Sequence, residues 1–331
     1  MKNNYKSIKI LKYFLPYGLV AYLRKREKTK KREKLISCGP ENSDKTFYIV
    51  GVVDIRGGLF WLVLWNLNRI AYALEKGWIP VVDWQNYPNQ YLENTSLHKE
   101  NAWEYYFEQP CGYDLNAISH SKNIIRGLER LEIDGLVFDN YLEINDEYFP
   151  YFKKVFKQYL RFNETTRNYI ENEYRMILQD KGKVLGVLCR GTDYTLKKPA
   201  GHPIQPTPEK VIKKAWEVMS NQNLDYIYLA TEDQGIYELF RKKFGEKLIT
   251  NKQDRFSKQD LKQVQYLYQI KRDRERDKYF LGLEYLSSLY LLSKCNSFIG
   301  GRTRGTIGVL LMTDGFEYQY IWNLGIFPYD L

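Results

Sequence analysis

The sequence predicts an α/β fold of two Rossmann-like units facing each other across a cleft, preceded by a basic N-terminal arm. Three observations carry that expectation. Apolar runs rich in Val, Ile, Leu and aromatics near residues 46–53, 78–83, 183–188, 226–230 and 297–299 alternate with helical stretches, as parallel strands buried on both faces do. Between Thr46 and Asp83 a strand, a glycine loop, a helix and a second strand follow in turn. In the second half, three strands end in clusters of Arg, Gly, Thr and acid, at the sheet edge where open α/β folds bind ligands. With 331 residues the chain is long enough for two such units. The expected division is an arm at 1–36, a first unit at 37–175 and a second at 176–331.

The arm holds the charge. The whole chain carries +10, and residues 1–36 contain twelve Lys or Arg against Glu27 and Glu33. The remaining basic and acidic side chains balance, so a nucleic-acid footprint across the folded body is not expected. Within the arm, Tyr13 to Leu23 is an apolar stretch of 11 residues, too short to span a bilayer, with lysines before it and Arg24-Lys25-Arg26 after it. No small-residue cleavage site follows. This reads as an interfacial segment on an anionic membrane surface, or alternatively as a packed or disordered basic tail.

In the first unit, Thr46–Val53 is the opening strand and Asp54-Ile55-Arg56-Gly57-Gly58 the glycine loop. Leu59 to Lys76 is apolar nearly all round, a buried helix, with Gly77 as its stop. Trp78–Asp83 is the next strand, and helices are expected near 148–160 and 164–178. The second unit begins with strand 183–188 and a Pro- and Gly-containing loop at 195–207. Thr207-Pro208-Glu209 supplies cap, first-turn proline and first-turn acid for a helix over 208–220. Strand 226–230, helix 234–244, a short strand near 247–249, a charged segment at 250–277, helix 278–294, strand 297–299, loop 300–305 and helix 306–313 complete it.

The four cysteines (Cys38, Cys111, Cys189, Cys295) have no paired spacing, which points to a reducing cytosol. Cys189 and Cys295 read as buried thiols. His98, His120 and His202 are far apart and give no metal signature, and no GxxxxGK[ST] is present. Arg190, at the end of the strand Val184–Leu188, is a planar and permanently charged fork suited to a phosphate; the alternative is structural pairing with Asp193. Gly300 to Thr306 is a glycine- and arginine-rich loop opening a helix. Its N–H groups with Arg302 and Arg304 form a phosphate nest that, with Arg190, would hold a diphosphate; the alternative is a solvated surface loop. Glu232 and Asp233, after Thr231, either accept hydrogen bonds from a nucleoside or cap the helix 234–244. The chain contains no DxD, the spacing with which many sugar transferases hold a divalent ion. Three arginines therefore take the charge-neutralising part, and no metal or other cofactor is expected.

These motifs resemble those of a known group. Gly186-Val187-Leu188-Cys189-Arg190-Gly191-Thr192-Asp193 is similar to the G-V-H-x-R-R-T-D motif of α1,6-fucosyltransferases and its counterpart in the α1,2- and protein O-fucosyltransferases. His202-Pro203-Ile204 resembles the HPI segment of the α1,6 enzymes, and Tyr228 to Asp233 resembles their Y-L-A-T-D-D. Leu292 to Ile299 is similar to L-S-x-A-D-F-L-V, and Trp103 to Pro110 to W-E-x-x-F-x-P. The matches fall in the same order across roughly residues 46–313. The resemblance implies a GT-B fold, a metal-independent inverting mechanism and a GDP-sugar donor bound by the second unit. It implies that Arg190 contacts the β-phosphate, with Gly191, Thr192, Asp193, Thr231, Glu232, Asp233, Gly301, Arg302, Thr303, Arg304 and Thr306 around the donor. There are departures. Leu188 stands at the family histidine and Gly191 at its second arginine, and its guanine-contacting aspartate would fall near Ser288. Tyr194 to Lys198 lacks the glutamate proposed as base. Asp54, in the loop with Arg56, Gly57 and Gly58, occupies a place comparable to an acid of protein O-fucosyltransferases and is the candidate base; otherwise it caps helix 59–76 or pairs with Arg56. The expected partners are a nucleotide-sugar donor, a glycan or lipid-linked glycan acceptor and an anionic membrane surface, with a cytoplasmic location on the inner face of the cell membrane.

Overall fold

The computed structural model describes residues 33–51, 57–126, 148–191, 197–257, 259–262, 264, 270 and 272–328. Two sheets organise them. The first contains β1 (Lys34–Ile36), β2 (Phe47–Gly51), β3 (Ile79–Asp83) and β4 (Ile124–Arg126) in the order β1-β4-β2-β3. β2 is parallel to β3 and β4, and β1 is antiparallel to β4. β1 corrects the expected arm, because residues 34–36 belong to this sheet. They pair with Ile124–Arg126, a strand too short to leave a periodic signal. The apolar stretch 13–23 lies outside the described residues.

α1 (Leu59–Glu75) connects β2 to β3 and is buried along most of its length, as its continuous apolar run requires. Gly77 follows with φ 71°, a left-handed conformation that glycine adopts without steric cost. β3 ends the sheet, so its outer backbone groups need partners from elsewhere. Two buried amides supply them. Gln109 Oε1 accepts from the Val82 N–H at 2.9 Å, and its Nε2 donates to the Val82 carbonyl at 2.9 Å. Asn101 Oδ1 accepts from the Trp84 N–H at 3.0 Å and its Nδ2 donates to the Val82 carbonyl at 2.7 Å. The segment Asn101–Gln109 thus stands in for a neighbouring strand. Gln109→Leu leaves a buried N–H without its acceptor and is expected to cost about 2 kcal/mol in urea denaturation. An unchanged midpoint would contradict this account of the edge.

The second sheet contains β5 (Val184–Leu188), β6 (Tyr226–Ala230), β7 (Leu248–Ile249), β8 (Ser297–Gly301) and β9 (Tyr318–Trp322), all parallel, in the order β7-β6-β5-β8-β9. Alternate residues of β5 and β6 serve opposite faces. Leu185, Val187, Ile227 and Leu229 pack under α4 (Pro208–Asn221) and α5 (Gln234–Phe244), while Val184, Leu188, Tyr228 and Ala230 join the main core. α6 (Asp277–Ser293) and α7 (Arg304–Met312) cover that second face. Gly186 allows close packing there: a Cβ would lie 3.1 Å from Leu292 and 3.2 Å from Cys295.

α2 (Phe149–Tyr159) and α3 (Glu164–Ile177) stand between the sheets with α1, α6 and α7. The largest apolar cluster runs through all of them and reaches the inner residues of both sheets, from Tyr48 and Val82 to Tyr228 and Phe298. The Tyr106 hydroxyl donates to the Tyr279 carbonyl at 2.9 Å, and Lys278 Nζ to the Leu92 carbonyl at 2.7 Å. Among the described residues, no helix is long and apolar enough to cross a membrane.

Candidate functional site

β5, β6 and β8 are neighbours, and register decides what their ends bring together. Leu188 is level with Ala230 on one side and with Gly300 on the other. The residues just beyond (Arg190, Thr231 to Asp233, and Gly301 to Thr306) therefore form one row along the carboxyl edge. Asp54 and Arg56, and likewise Thr192 and Asp193, lie outside the described residues.

Arg190 Nε stands 3.3 Å from Glu232 Oε1, with the two side chains 21% and 18% exposed. Glu232 is a carboxylate partner of Arg190; Asp193, the partner expected from sequence, lies outside the described residues. At this burial the pair is less screened than a surface bridge and fixes the guanidinium at the strand end. Glu232 is thus engaged by Arg190. Asp233 takes the capping role: its Oδ1 accepts from the Ile236 N–H at 3.0 Å at the start of α5. Gly191 makes room for it, because a Cβ there would lie 2.3 Å from Asp233 Oδ2. Thr231 is buried, and its hydroxyl accepts from the Asp233 N–H at 3.2 Å. Burial first, and then the Glu232 and Asp233 carboxylates, push the Cys189 thiol well above its usual range, which leaves it an inert neighbour of Arg190.

The loop after β8 is built around α7. Thr303 caps the helix, its hydroxyl accepting from the Thr306 N–H at 3.1 Å, and the Thr306 hydroxyl donates to the Gly301 carbonyl at 2.5 Å. Both threonines are buried, and Arg302 and Arg304 are half-buried. These bonds hold the loop so that the positive end of α7 opens on the same edge as Arg190. Sequence reading missed Gln205, which buttresses the loop by donating to the Arg302 carbonyl at 2.9 Å. It presses on Gly301, where a Cβ would lie 2.0 Å from Gln205 Oε1. The signal available was its place directly after His202-Pro203-Ile204. Thr303→Val removes the cap and is expected to lower stability by about 1 kcal/mol. Urea denaturation measures the loss, and an unchanged midpoint would contradict the capping role of Thr303.

Gly57, at the end of the glycine loop, shares the Trp61 ring with Arg304 of this row. The Arg304 guanidinium lies over the Trp61 ring, 5.4 Å from its centre, and Trp61 stacks on Trp65. Gly57 abuts the same ring, since a Cβ there would lie 2.4 Å from Trp61. Trp61 therefore joins Gly57 and Arg304, and Tyr285 approaches Gly305 from α6. Both lie in stretches that the sequence reading gave only as helices, 59–76 and 278–294. Ser288, near which the sequence resemblance would put an aspartate, is buried. Its hydroxyl lies among Asn251 Nδ2 at 3.0 Å, Gln253 Oε1 at 2.7 Å and the Glu284 carbonyl at 2.9 Å. Among the described residues, no group of three or more His, Cys, Asp or Glu could hold a metal ion.

No protein-family model matches the chain, and no curated protein matches it. Among solved structures it is similar to the NodZ alpha-1,6-fucosyltransferase soaked with GDP-fucose, with 14% identity over 81% of this chain and 93% of that chain and a TM-score of 0.48. It is similar to the fucosyltransferase NodZ from Bradyrhizobium, with 14% identity over 81% and 94% of the two chains and a TM-score of 0.46. It is also similar to POFUT1 in complex with GDP-fucose, with 9% identity over 86% and 99% and a TM-score of 0.45.

Proposed function

We propose that the chain is an inverting, metal-independent glycosyltransferase of GT-B architecture that moves a sugar, L-fucose from GDP-fucose, onto a glycan or lipid-linked oligosaccharide in surface polysaccharide synthesis. The observation that carries the reading is the row formed by Arg190 and the Gly301–Thr306 loop. A guanidinium and a helix N-terminus share one sheet edge, a geometry that stabilises a departing diphosphate. The ordered motifs from Trp103 to Ile299 support the choice of sugar donor. In the reaction the acceptor hydroxyl attacks the anomeric carbon as the bond to the β-phosphate oxygen breaks. One displacement inverts that centre, the diphosphate leaves with the electron pair, and the hydroxyl proton passes to a base. Asp54 is the candidate base, three positions before Gly57 in the sequence. Arg190, Arg302 and Arg304 supply the positive charge that a metal ion supplies in DxD enzymes.

A second reading, a different nucleotide on the same donor loop, is favoured by Ser288. Its hydroxyl is buried and engaged within the helix packing, so the family's acidic contact to guanine has no counterpart there. Melting-temperature shifts with GDP, UDP, CMP and dTDP decide between the readings, and GDP is expected to give the largest. The basic arm completes the proposal as a peripheral anchor on the inner face of the cell membrane. The full chain is expected to bind anionic vesicles in a salt-sensitive way and not RNA; retention on RNA but not on vesicles would overturn that part.

A further inference from the structure

A cavity of about 480 Å³ lies between the first unit and the start of α6, walled by Tyr91, Tyr105 and Tyr279 and by Glu93, Glu100 and Glu275. We infer that this cavity is a subsite for a neutral saccharide unit of the acceptor, an inference that rests on the glycosyltransferase reading above. Its chemistry selects that ligand. Carboxylates and hydroxyls take the hydrogen bonds of sugar hydroxyls, and aromatic walls cover the apolar faces of a sugar ring. Three carboxylates against the single guanidinium of Arg276 disfavour an anion, so the diphosphate end of the donor is not its occupant.

The polar groups are held in place. Glu100 accepts from the Tyr105 hydroxyl through Oε2 and from Ser96 Oγ at 2.9 Å through Oε1. These two bonds hold its carboxyl below the usual range, so it stays an acceptor at neutral pH. Arg276 sits at φ 53°, a left-handed conformation that is unusual for a side chain of its size. Its guanidinium lies 4.5 Å from the centre of the Tyr279 ring and 5.5 Å from that of Tyr105. Strained residues of this kind cluster at ligand sites. Lys278 clips the two walls together, its N–H donating to Glu93 Oε1 at 3.2 Å and its Nζ to the Leu92 carbonyl.

The cavity also has the right neighbour. The Tyr91 hydroxyl adjoins Tyr285 and the backbone of Leu59. Leu59 opens α1 immediately after the glycine loop, and Tyr285 abuts Gly305 of the donor loop. Tyr91 thus stands between the cavity and the place where the two loops meet. A sugar in the cavity would be a non-reacting unit of a longer acceptor, aligned by contacts outside the bond-making centre.

Saturation-transfer NMR and calorimetry on the full chain, with neutral trisaccharides of glucose, galactose and N-acetylglucosamine as probes, test the assignment. At least one should bind without nucleotide. Glu100→Gln, at an exposed position, should weaken it about tenfold, as loss of a charge-assisted hydrogen bond does, with the GDP-induced melting shift unchanged. Binding that survives intact in the Glu100→Gln/Glu275→Gln variant overturns the subsite. Protein that takes GDP and no trisaccharide overturns the subsite while the donor reading stands. Protein that takes trisaccharide and no nucleotide overturns the donor reading alone.

Discussion

Arg190→Ala is expected to reduce sugar transfer by about 10²- to 10³-fold or more, the usual loss when one preorganised stabiliser of developing charge is removed. Two effects combine. The guanidinium at the strand end disappears, and the Glu232 carboxylate that it neutralised at 3.3 Å remains at the proposed diphosphate site. Like charges at that distance repel the donor as well as the leaving group. The double variant Arg190→Ala/Glu232→Gln should therefore be more active than Arg190→Ala alone. A site in which Glu232 merely packed would show no such recovery. Arg190→Lys should fall between, since an ammonium keeps the charge but not the planar fork. GDP release from GDP-fucose with acceptor present measures all three, and a melting curve for each excludes unfolding. Full activity in Arg190→Ala would sink the proposed chemistry.

That Arg190 was legible in the sequence follows from one physical contrast. The run Val184–Leu188 is buried on both faces, so the first charged residue after it marks the sheet's edge. The same contrast revealed Thr231 to Asp233 and Gly301 to Thr306, and parallel pairing made them neighbours. Long apolar helices were equally legible, as α1 and α6 show. The two-residue β7 was read near its place, but β1, β4 and β9 were not. β1 and β4 have three residues each and pair with one another across some ninety positions of chain, which no local pattern encodes. β9 is an edge strand with Gln319 and Tyr320 exposed, so its apolar signal is diluted. The roles of Glu232 and Asp233 were open for a related reason. Both are carboxylates at a strand end, and only the backbone path decides that one meets Arg190 while the other caps α5. Trp61, Tyr285 and Gln205 were hidden because aromatic and amide side chains on helices and loops look the same whether they pack a core or position an arginine.

Gly308→Leu is expected to destabilise the protein by about 3 kcal/mol and to weaken nucleotide binding with it. The reason is a contact that only glycine permits. A Cβ at position 308 of α7 would lie 2.4 to 2.8 Å from three ring carbons of Phe60 on α1. Phe60 is 1% exposed and has Tyr285 against its edge, so the ring has nowhere to turn. The helices must separate, and α7 carries the proposed donor loop at its N-terminus while α1 carries Trp61. Separation draws Arg304 off the indole and tilts the first turn of α7 away from Arg190. A change in core packing is thereby felt at the proposed phosphate-binding edge, some four residues along the same helix. Phe60→Ala by itself should also destabilise, by about 3–5 kcal/mol, because it leaves a void. Combined with Gly308→Leu the new side chain fills that void, so the double variant should be more stable than the sum of the single losses by 1 kcal/mol or roughly more, as residues in direct contact allow. Urea denaturation gives the three stabilities, and GDP titration should show affinity returning in the double variant together with the fold. Strict additivity of the two stability losses would show that α1 and α7 do not bear on one another through this pair.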